Sequence, residues 1–208
     1  MFNRRLYLVI SGEACKGRDL VAVATAAIKG GVDVIQLREK QLDNPAFLAS
    51  ALRLKEALVP HGVPLVINDN LWVAQACGAT GIHVGNSDIQ PLAIRAKWPS
   101  CGILGYSIEY EKQLYTPEAA AADYLALSPV FATPTKTDTV TEWKLEGVRH
   151  IRSLTNKILV AIGAIHEGNA ADVIKAGADC LAVVSAICAA PDPERAAAAI
   201  RLQIEKAL

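Results

Sequence analysis

Three basic side chains have the types and spacing to bind a multiply charged anion. Gln36, Arg38 and Lys40 occupy alternate positions, so in an extended strand their side chains point to one side. Lys136 ends the stretch 133–136, a Thr-Pro-Thr-Lys loop whose hydroxyls and amides also suit an anion. Fixed cations in a cleft favour a phosphorylated ligand. The alternative is that Arg38 and Lys40 are ordinary surface charges at a strand end.

Two carboxylates, Asp69 and Asp88, follow neighbouring predicted strands and are expected side by side. Proteins commonly hold Mg²⁺ with one or two carboxylates, while phosphate oxygens and waters complete its shell. The pair therefore predicts a magnesium site, with salt bridges to the basic residues as the alternative. Asn68 is expected to donate to phosphate oxygens or a substrate ring, or else to cap the following helix.

A second anion site is predicted where residues 161–164 follow the seventh strand and 183–185 lead from the eighth strand into a short helix. Barrels often bind phosphate there through backbone N–H groups. A tight turn that requires Gly163 is the alternative. Two phosphate sites at one mouth imply two phosphorylated substrates, or one substrate phosphorylated at both ends.

The elements that must position these residues follow from hydrophobic periodicity. Short apolar runs alternate with segments of helical period, which predicts βα units and a parallel sheet. The expected strands are residues 6–10, 34–37, 65–67, 82–84, 103–106, 124–127, 158–161 and 181–184. This pattern predicts a (β/α)8 TIM barrel formed as one domain from residues 1–208, with Ser107 following the fifth strand at the same mouth. A doubly wound sheet is the alternative, but residues 11–13 lack its glycine-rich phosphate fingerprint.

A weak internal repeat supports this count. Each copy closes a helix and leads directly into an apolar strand, at residues 31–33, 78–80, 121–123 and 177–179. Small residues at these points let helix and sheet pack closely.

Composition excludes several classes of function. The chain has 21 Lys+Arg and 21 Asp+Glu, so it lacks the long-range field that attracts nucleic acid or anionic membranes. No apolar run approaches the roughly 18 residues of a membrane span, and residues 6–10 are too short for a signal-peptide core. We expect a cytoplasmic protein with five buried, unpaired cysteines. Apolar helix faces leave a homodimer open.

A set of motifs occurs in order along the chain. They are Ile35-Gln-Leu-Arg-Glu-Lys40, Ile67-Asn-Asp-Asn70, Gly81-Ile-His-Val-Gly85 with Asp88, Pro129-Val-Phe-Ala-Thr-Pro-Thr-Lys136, and Ala161-Ile-Gly163 with Val183-Val-Ser185. Together they resemble the thiamine phosphate synthase family, from about residue 6 to residue 200. The resemblance implies that hydroxymethylpyrimidine pyrophosphate is coupled with a thiazole phosphate, giving thiamine phosphate and pyrophosphate.

The resemblance also implies a role for each motif residue. Pyrophosphate would be held by Arg38, Lys40, Asn68, Ser107 and Lys136, and Mg²⁺ by Asp69 and Asp88. The pyrimidine would contact Gln36, the thiazole side Thr133 and Thr135, and the thiazole phosphate Gly163, Val184 and Ser185. The candidate catalytic residues are Arg38, Lys40, Ser107 and Lys136, because they would stabilise charge as the C–O bond breaks. Ala164 stands where the family usually has a second glycine, and its Cβ is expected to crowd the phosphate.

Two other functions are weighed against the synthase. The related thiazole tautomerase resembles a proton-transfer enzyme that relies on a histidine soon after the fifth strand, where this chain reads Ser107-Ile-Glu109. A non-catalytic regulator that binds thiamine precursors would be free to lose its metal carboxylates, and this chain keeps both. The residues therefore favour the synthase.

Overall fold

The computed structural model describes residues 2–133 and 141–208 and contains a closed barrel of eight parallel strands. The strands are β1 (Leu6–Ile10), β2 (Val34–Leu37), β3 (Leu65–Asn68), β4 (Gly81–Val84), β5 (Ile103–Ile108), β6 (Tyr124–Leu127), β7 (Ile158–Ile162) and β8 (Cys180–Val183). They follow one another in chain order around the barrel, and β8 pairs with β1 to close it. The predicted (β/α)8 barrel is confirmed, and the doubly wound alternative is wrong.

Helices connect the strands on the outside of the barrel. They are α1 (Leu20–Lys29), α2 (Asn44–Leu58), α3 (Leu71–Ala76), α4 (Pro91–Lys97), α5 (Pro117–Ala121), α6 (Lys144–Leu154), α7 (Glu167–Lys175), α8 (Ser185–Cys188) and α9 (Pro193–Ala207). Several begin at a side chain that caps the first free N–H groups: Asp19 accepts from Ala22 N–H, and Asp192 from Arg195 N–H. Local sequence thus sets where these helices start.

The core has two layers because successive strand residues face opposite sides of the sheet. On β1, Leu6, Leu8 and Ile10 pack outward with the helices, whereas Tyr7 and Val9 pack inside the barrel. Both faces of each strand are therefore buried, as the near-continuous apolar runs predicted. The inward layer carries the polar residues that reach the mouth.

β5 is two residues longer than its apolar run indicates. β5 was expected to end at Tyr106, but it continues to Ile108, and Ser107 pairs with Ala126 of β6. Ser107 therefore lies within the strand and not after it. Neighbouring backbone supplies the hydrogen bonds that extend the strand past its apolar residues.

The internal repeat forms a recurring clamp at the start of three strands. In each, an aspartate just before β2, β6 or β8 accepts a hydrogen bond from a backbone N–H at the start of the neighbouring strand β1, β5 or β7. The same aspartate also forms an ion pair with an arginine. The clamps are Asp33 with Leu6 and Arg201, Asp123 with Leu104 and Arg95, and Asp179 with Leu159 and Arg152. They tie neighbouring strands together at the face opposite the mouth.

The five cysteines are all buried and unpaired, which confirms their prediction as small apolar side chains. Within residues 2–133 and 141–208, no helix has both the length and the apolar character needed to cross a bilayer.

Candidate active site

A cavity of about 390 Å³ opens at the carboxyl ends of the strands. Within the described ranges, every residue predicted for the site lines it: Gln36, Arg38, Lys40, Asn68, Asp69, Asp88, Ser107, Thr133, Gly163, Val184 and Ser185. Thr135 and Lys136 lie outside the described residues. The convergence follows from topology, because parallel strands of a barrel end at the same mouth.

The two predicted metal ligands are close neighbours. Asp69 follows β3 with φ of 60°, and its N–H donates to the carbonyl of His83 at 2.8 Å. A carboxylate oxygen of Asp88 accepts from the Gly85 N–H at 2.8 Å. Burial raises the pKa of the Asp88 carboxyl, and the adjacent Asp69 raises it further. A bound cation would relieve the repulsion that disfavours the ionised Asp88, so the site favours a cation.

Lys40 already supplies one positive charge to this pair, since its ammonium group forms an ion pair with Asp69. Lys40 is otherwise half exposed, so solvent weakens this ion pair. The salt-bridge alternative is therefore present for Asp69 itself. It does not exclude a divalent cation, because Asp88 forms no ion pair within the described residues.

The donor set fits magnesium better than a metal held by protein alone. Among the described residues, no cluster of three or more His, Cys, Asp or Glu side chains is placed to hold an ion. Mg²⁺ usually takes one or two carboxylates and completes its shell with water and substrate phosphates. Asp69 and Asp88 would supply the carboxylates at this mouth.

Arg38 is partly buried and lines the cavity. Its backbone N–H donates to the Ile10 carbonyl at 2.9 Å, which fixes the residue at the end of β2. In the described part of the chain, its guanidinium has no hydrogen bond or ion pair, although it lines the cavity. A guanidinium without a carboxylate partner is available to bind an anion in two-pronged geometry.

The second predicted anion site lies across the cavity, at the ends of β7 and β8. Gly163 has φ of 119°, and a Cβ there would lie 2.6 Å from Pro129 Cβ and 2.9 Å from the Phe131 carbonyl oxygen. Only glycine fits this position without moving the neighbouring loop. Ser185 begins α8, and the first N–H groups of a helix have no partner within it. Backbone donors thus line the same side of the cavity as Gly163.

A chain of polar side chains crosses the inside of the barrel below the mouth. Gln36 Nε2 donates to Tyr7 Oη at 3.0 Å, and Tyr7 Oη lies 3.0 Å from Tyr124 Oη. The chain continues from Tyr124 Oη to His83 Nδ1 at 2.9 Å, and from His83 Nε2 to Ser107 Oγ at 2.9 Å. Both ring nitrogens of His83 thus have a hydrogen-bond partner inside the barrel.

Sequence reasoning did not identify Tyr7 and Tyr124 as part of the site. Their signal is only that two phenols occupy inward strand positions in a chain with 5% aromatic residues. The hydrophobic pattern predicts that such residues belong to the core, because a barrel interior is normally filled with side chains.

Comparison with known proteins agrees with this geometry. A family model described as thiamine monophosphate synthase matches residues 6–187. A thiamine-phosphate synthase of Albidiferax ferrireducens is 52% identical over 201 residues, covering 97% of this chain and 92% of that protein. The thiamine-phosphate synthase of Leptospira biflexa is 44% identical over 202 residues, covering 95% and 96%.

The solved structure of a thiamine phosphate pyrophosphorylase from Pyrococcus furiosus is also similar. It has a TM-score of 0.89 and 28% sequence identity, and the match covers 99% of this chain and 98% of that one. Since the family model and these relatives extend over nearly the whole barrel, the chain belongs to the thiamine monophosphate synthase family and is a transferase of thiamine biosynthesis.

Proposed function

We propose that this protein couples hydroxymethylpyrimidine pyrophosphate with a thiazole phosphate in a magnesium-dependent reaction that yields thiamine phosphate and releases pyrophosphate. One observation carries the proposal. Residues from separate strands that suit a pyrophosphate, a divalent cation and a second phosphate line a single cavity.

In this proposal the pyrophosphate lies against Arg38, Lys40, Asn68 and Ser107, with Lys136 as the third cation. Pyrophosphate leaves readily only when its growing charge is compensated, and fixed donors stabilise that charge most as the bond breaks. Mg²⁺ held by Asp69 and Asp88 would supply further charge neutralisation to the same oxygens.

The second substrate lies toward β7 and β8. Gly163, Val184 and Ser185 would bind the thiazole phosphate through backbone groups, with Thr133 and Thr135 beside the ring and Gln36 at the pyrimidine. The protein then acts by holding two substrates in reacting geometry and excluding water. Because its matching relatives are named for the synthase, the comparisons favour this function over the tautomerase and regulator alternatives.

The test is to supply both phosphorylated substrates with Mg²⁺ and to follow pyrophosphate release and thiamine phosphate formation. Asp69→Ala and Lys136→Ala are each expected to lower kcat on the order of a hundredfold or more. The first removes a proposed ligand of Mg²⁺, and the second removes a cation proposed to bind the pyrophosphate. Removing the metal with a chelator should stop turnover, and added Mg²⁺ should restore it.

Glu56→Ala is the matched control, since Glu56 is an exposed acid on α2 outside the cavity. It should keep the parent's kcat, and all three variants should keep the parent's circular dichroism spectrum. Parent-like turnover in both Asp69→Ala and Lys136→Ala would refute the assignment of roles.

A further inference from the structure

The hydrogen-bond chain from Gln36 to Ser107 is mostly buried and has a direction. Tyr7 and Tyr124 are each no more than 1% exposed, and Gln36 is 4% exposed. Burial raises the pKa of both phenols, so each hydroxyl keeps its single proton. A buried hydroxyl proton needs an acceptor, so the protons of the chain must be arranged consistently.

The Gln36 amide sets that arrangement. Its Nε2 donates to Tyr7 Oη, so the Tyr7 proton goes to Tyr124 Oη, and the Tyr124 proton goes to His83 Nδ1. His83 Nδ1 is then the acceptor, which leaves the proton of the neutral ring on Nε2. That proton goes to Ser107 Oγ. The Ser107 hydroxyl accepts within the chain and has its own proton left to donate into the cavity.

The backbone of β5 makes this contact possible. A Cβ at Gly105 would lie 2.2 Å from Tyr124 Oη and 2.4 Å from His83 Nδ1. Any larger residue would therefore occupy the space where the phenol meets the imidazole. The rings of His83 and Tyr124 are nearly parallel, with centroids 5.6 Å apart.

We propose that Tyr7, Tyr124 and His83 are positioning residues that turn the Ser107 hydroxyl into a hydrogen-bond donor for the pyrophosphate. This inference rests on the proposed function for the identity of the anion. The orientation of the Gln36 amide on β2 thereby determines whether the Ser107 hydroxyl on β5 donates into the cavity. Reversing the amide reverses every bond of the chain. The Ser107 hydroxyl then donates to His83 Nε2, and only its lone pairs face the cavity, where they repel an anion.

The first measurement is the tautomer of His83 by NMR of the full-length protein with ¹⁵N-labelled histidine, the signals being assigned with His83→Gln. The parent should carry its proton on Nε2. Gln36→Glu, studied in alkaline buffer where a buried carboxyl is ionised, should move the proton to Nδ1, because a carboxylate only accepts hydrogen bonds.

The second measurement is binding of inorganic pyrophosphate with Mg²⁺, followed by calorimetry. Tyr124→Phe and Tyr7→Phe should each raise the Kd by about tenfold, as expected for a weakened hydrogen bond to a charged group. Tyr115→Phe is the control, because this phenol is 68% exposed and outside the cavity, and it should leave the Kd unchanged.

A double-mutant cycle separates positioning from general stability. Ser107→Ala should lower kcat by about a hundredfold and Tyr124→Phe by about tenfold, with little change in KM. If Tyr124 acts through Ser107, adding Tyr124→Phe to Ser107→Ala should lower kcat no further. Independent, additive losses would mean that Tyr124 acts only through the fold.

The proposal is overturned if His83 of the parent protein is protonated on Nδ1 or if Gln36→Glu leaves its tautomer unchanged. It is also overturned if the losses of kcat in the double-mutant cycle are additive. If Tyr124→Phe does not fold, Tyr7→Phe and the parent tautomer still test the proposal. Absence of thiamine phosphate synthesis by the parent would refute the proposed function, while the tautomer and pyrophosphate measurements would still test the hydrogen-bond chain.

Discussion

Single residues in the loop after β7 decide how closely a ligand can approach the backbone. Gly163 has a positive φ, and its neighbours leave no room for a side chain at this position. Ala164 follows it with φ of 47°, a left-handed conformation that costs an L-residue about 1–2 kcal/mol. Ala164 therefore adopts a backbone conformation that suits glycine, and this lowers the stability of the folded protein.

Replacing Ala164 with glycine should raise the free energy of unfolding by about 0.5–1 kcal/mol. Relief of the left-handed strain exceeds the extra chain entropy that glycine loses on folding. Urea unfolding measures this difference. As a control of opposite sign, Ala198→Gly on the exposed side of α9 should lower the free energy of unfolding by about 1 kcal/mol. Equal destabilisation by both changes would contradict the strain argument.

At the scale of elements, β5 both places a side chain in the cavity and leaves space for side chains of β4 and β6. Ser107 reaches the cavity, while Gly105, two positions earlier and on the same inward face, leaves space for Tyr124 and His83. The period of two along a strand links these requirements. A strand that carried a side chain at both positions would separate the residues that the hydrogen-bond chain connects.

Gly105→Ala should therefore lower the free energy of unfolding by about 1–3 kcal/mol, as overpacking in a tight core typically does. It should also displace the Tyr124 and His83 side chains, which a crystal structure of the variant would reveal. Gly12→Ala is the matched control, because the nearest atom to its added Cβ would be the Glu39 carboxylate at 3.6 Å. Similar unfolding curves for the two variants would exclude the predicted clash.

At the scale of the whole molecule, stability and chemistry lie at opposite ends of the barrel. The mouth holds the candidate substrate and metal residues, whereas the aspartate clamps lie at the strand starts. Barrels commonly divide their residues in this way. The site can therefore carry mutually repelling acids while the clamps and the two-layered core stabilise the fold.

Asp33→Ala tests this division. Its carboxylate accepts from the N–H groups of Arg5 and Leu6 and pairs with Arg201, so its loss should lower the free energy of unfolding by about 1.5–3 kcal/mol. The kcat at a temperature where the variant is folded should not change. Glu205→Ala, which removes only an exposed partner of Arg201, should cost less than about 1 kcal/mol. A large loss of kcat in Asp33→Ala would show that the two ends are coupled.

Much of the barrel architecture can be predicted from the amino-acid sequence. Apolar runs such as 6–10 and 124–127 coincide with β1 and β6, because both strand faces are buried and nearly the whole run must be apolar. Once the strands are counted, topology brings Arg38, Asp69, Asp88 and Ser107 to one mouth. The roles of these residues in binding and catalysis remain predictions.

The amino-acid sequence by itself determined the barrel, its strand order and the set of polar residues at its mouth, since hydrophobic period and parallel connectivity depend on local pattern. Only the tertiary structure decided that Tyr7, Tyr124 and His83 join Gln36 to Ser107 and that Lys40 pairs with Asp69. The physical reason is distance along the chain. Which side chains meet across a barrel depends on register, on rotamers and on space such as that left by Gly105, and none of these has a local pattern.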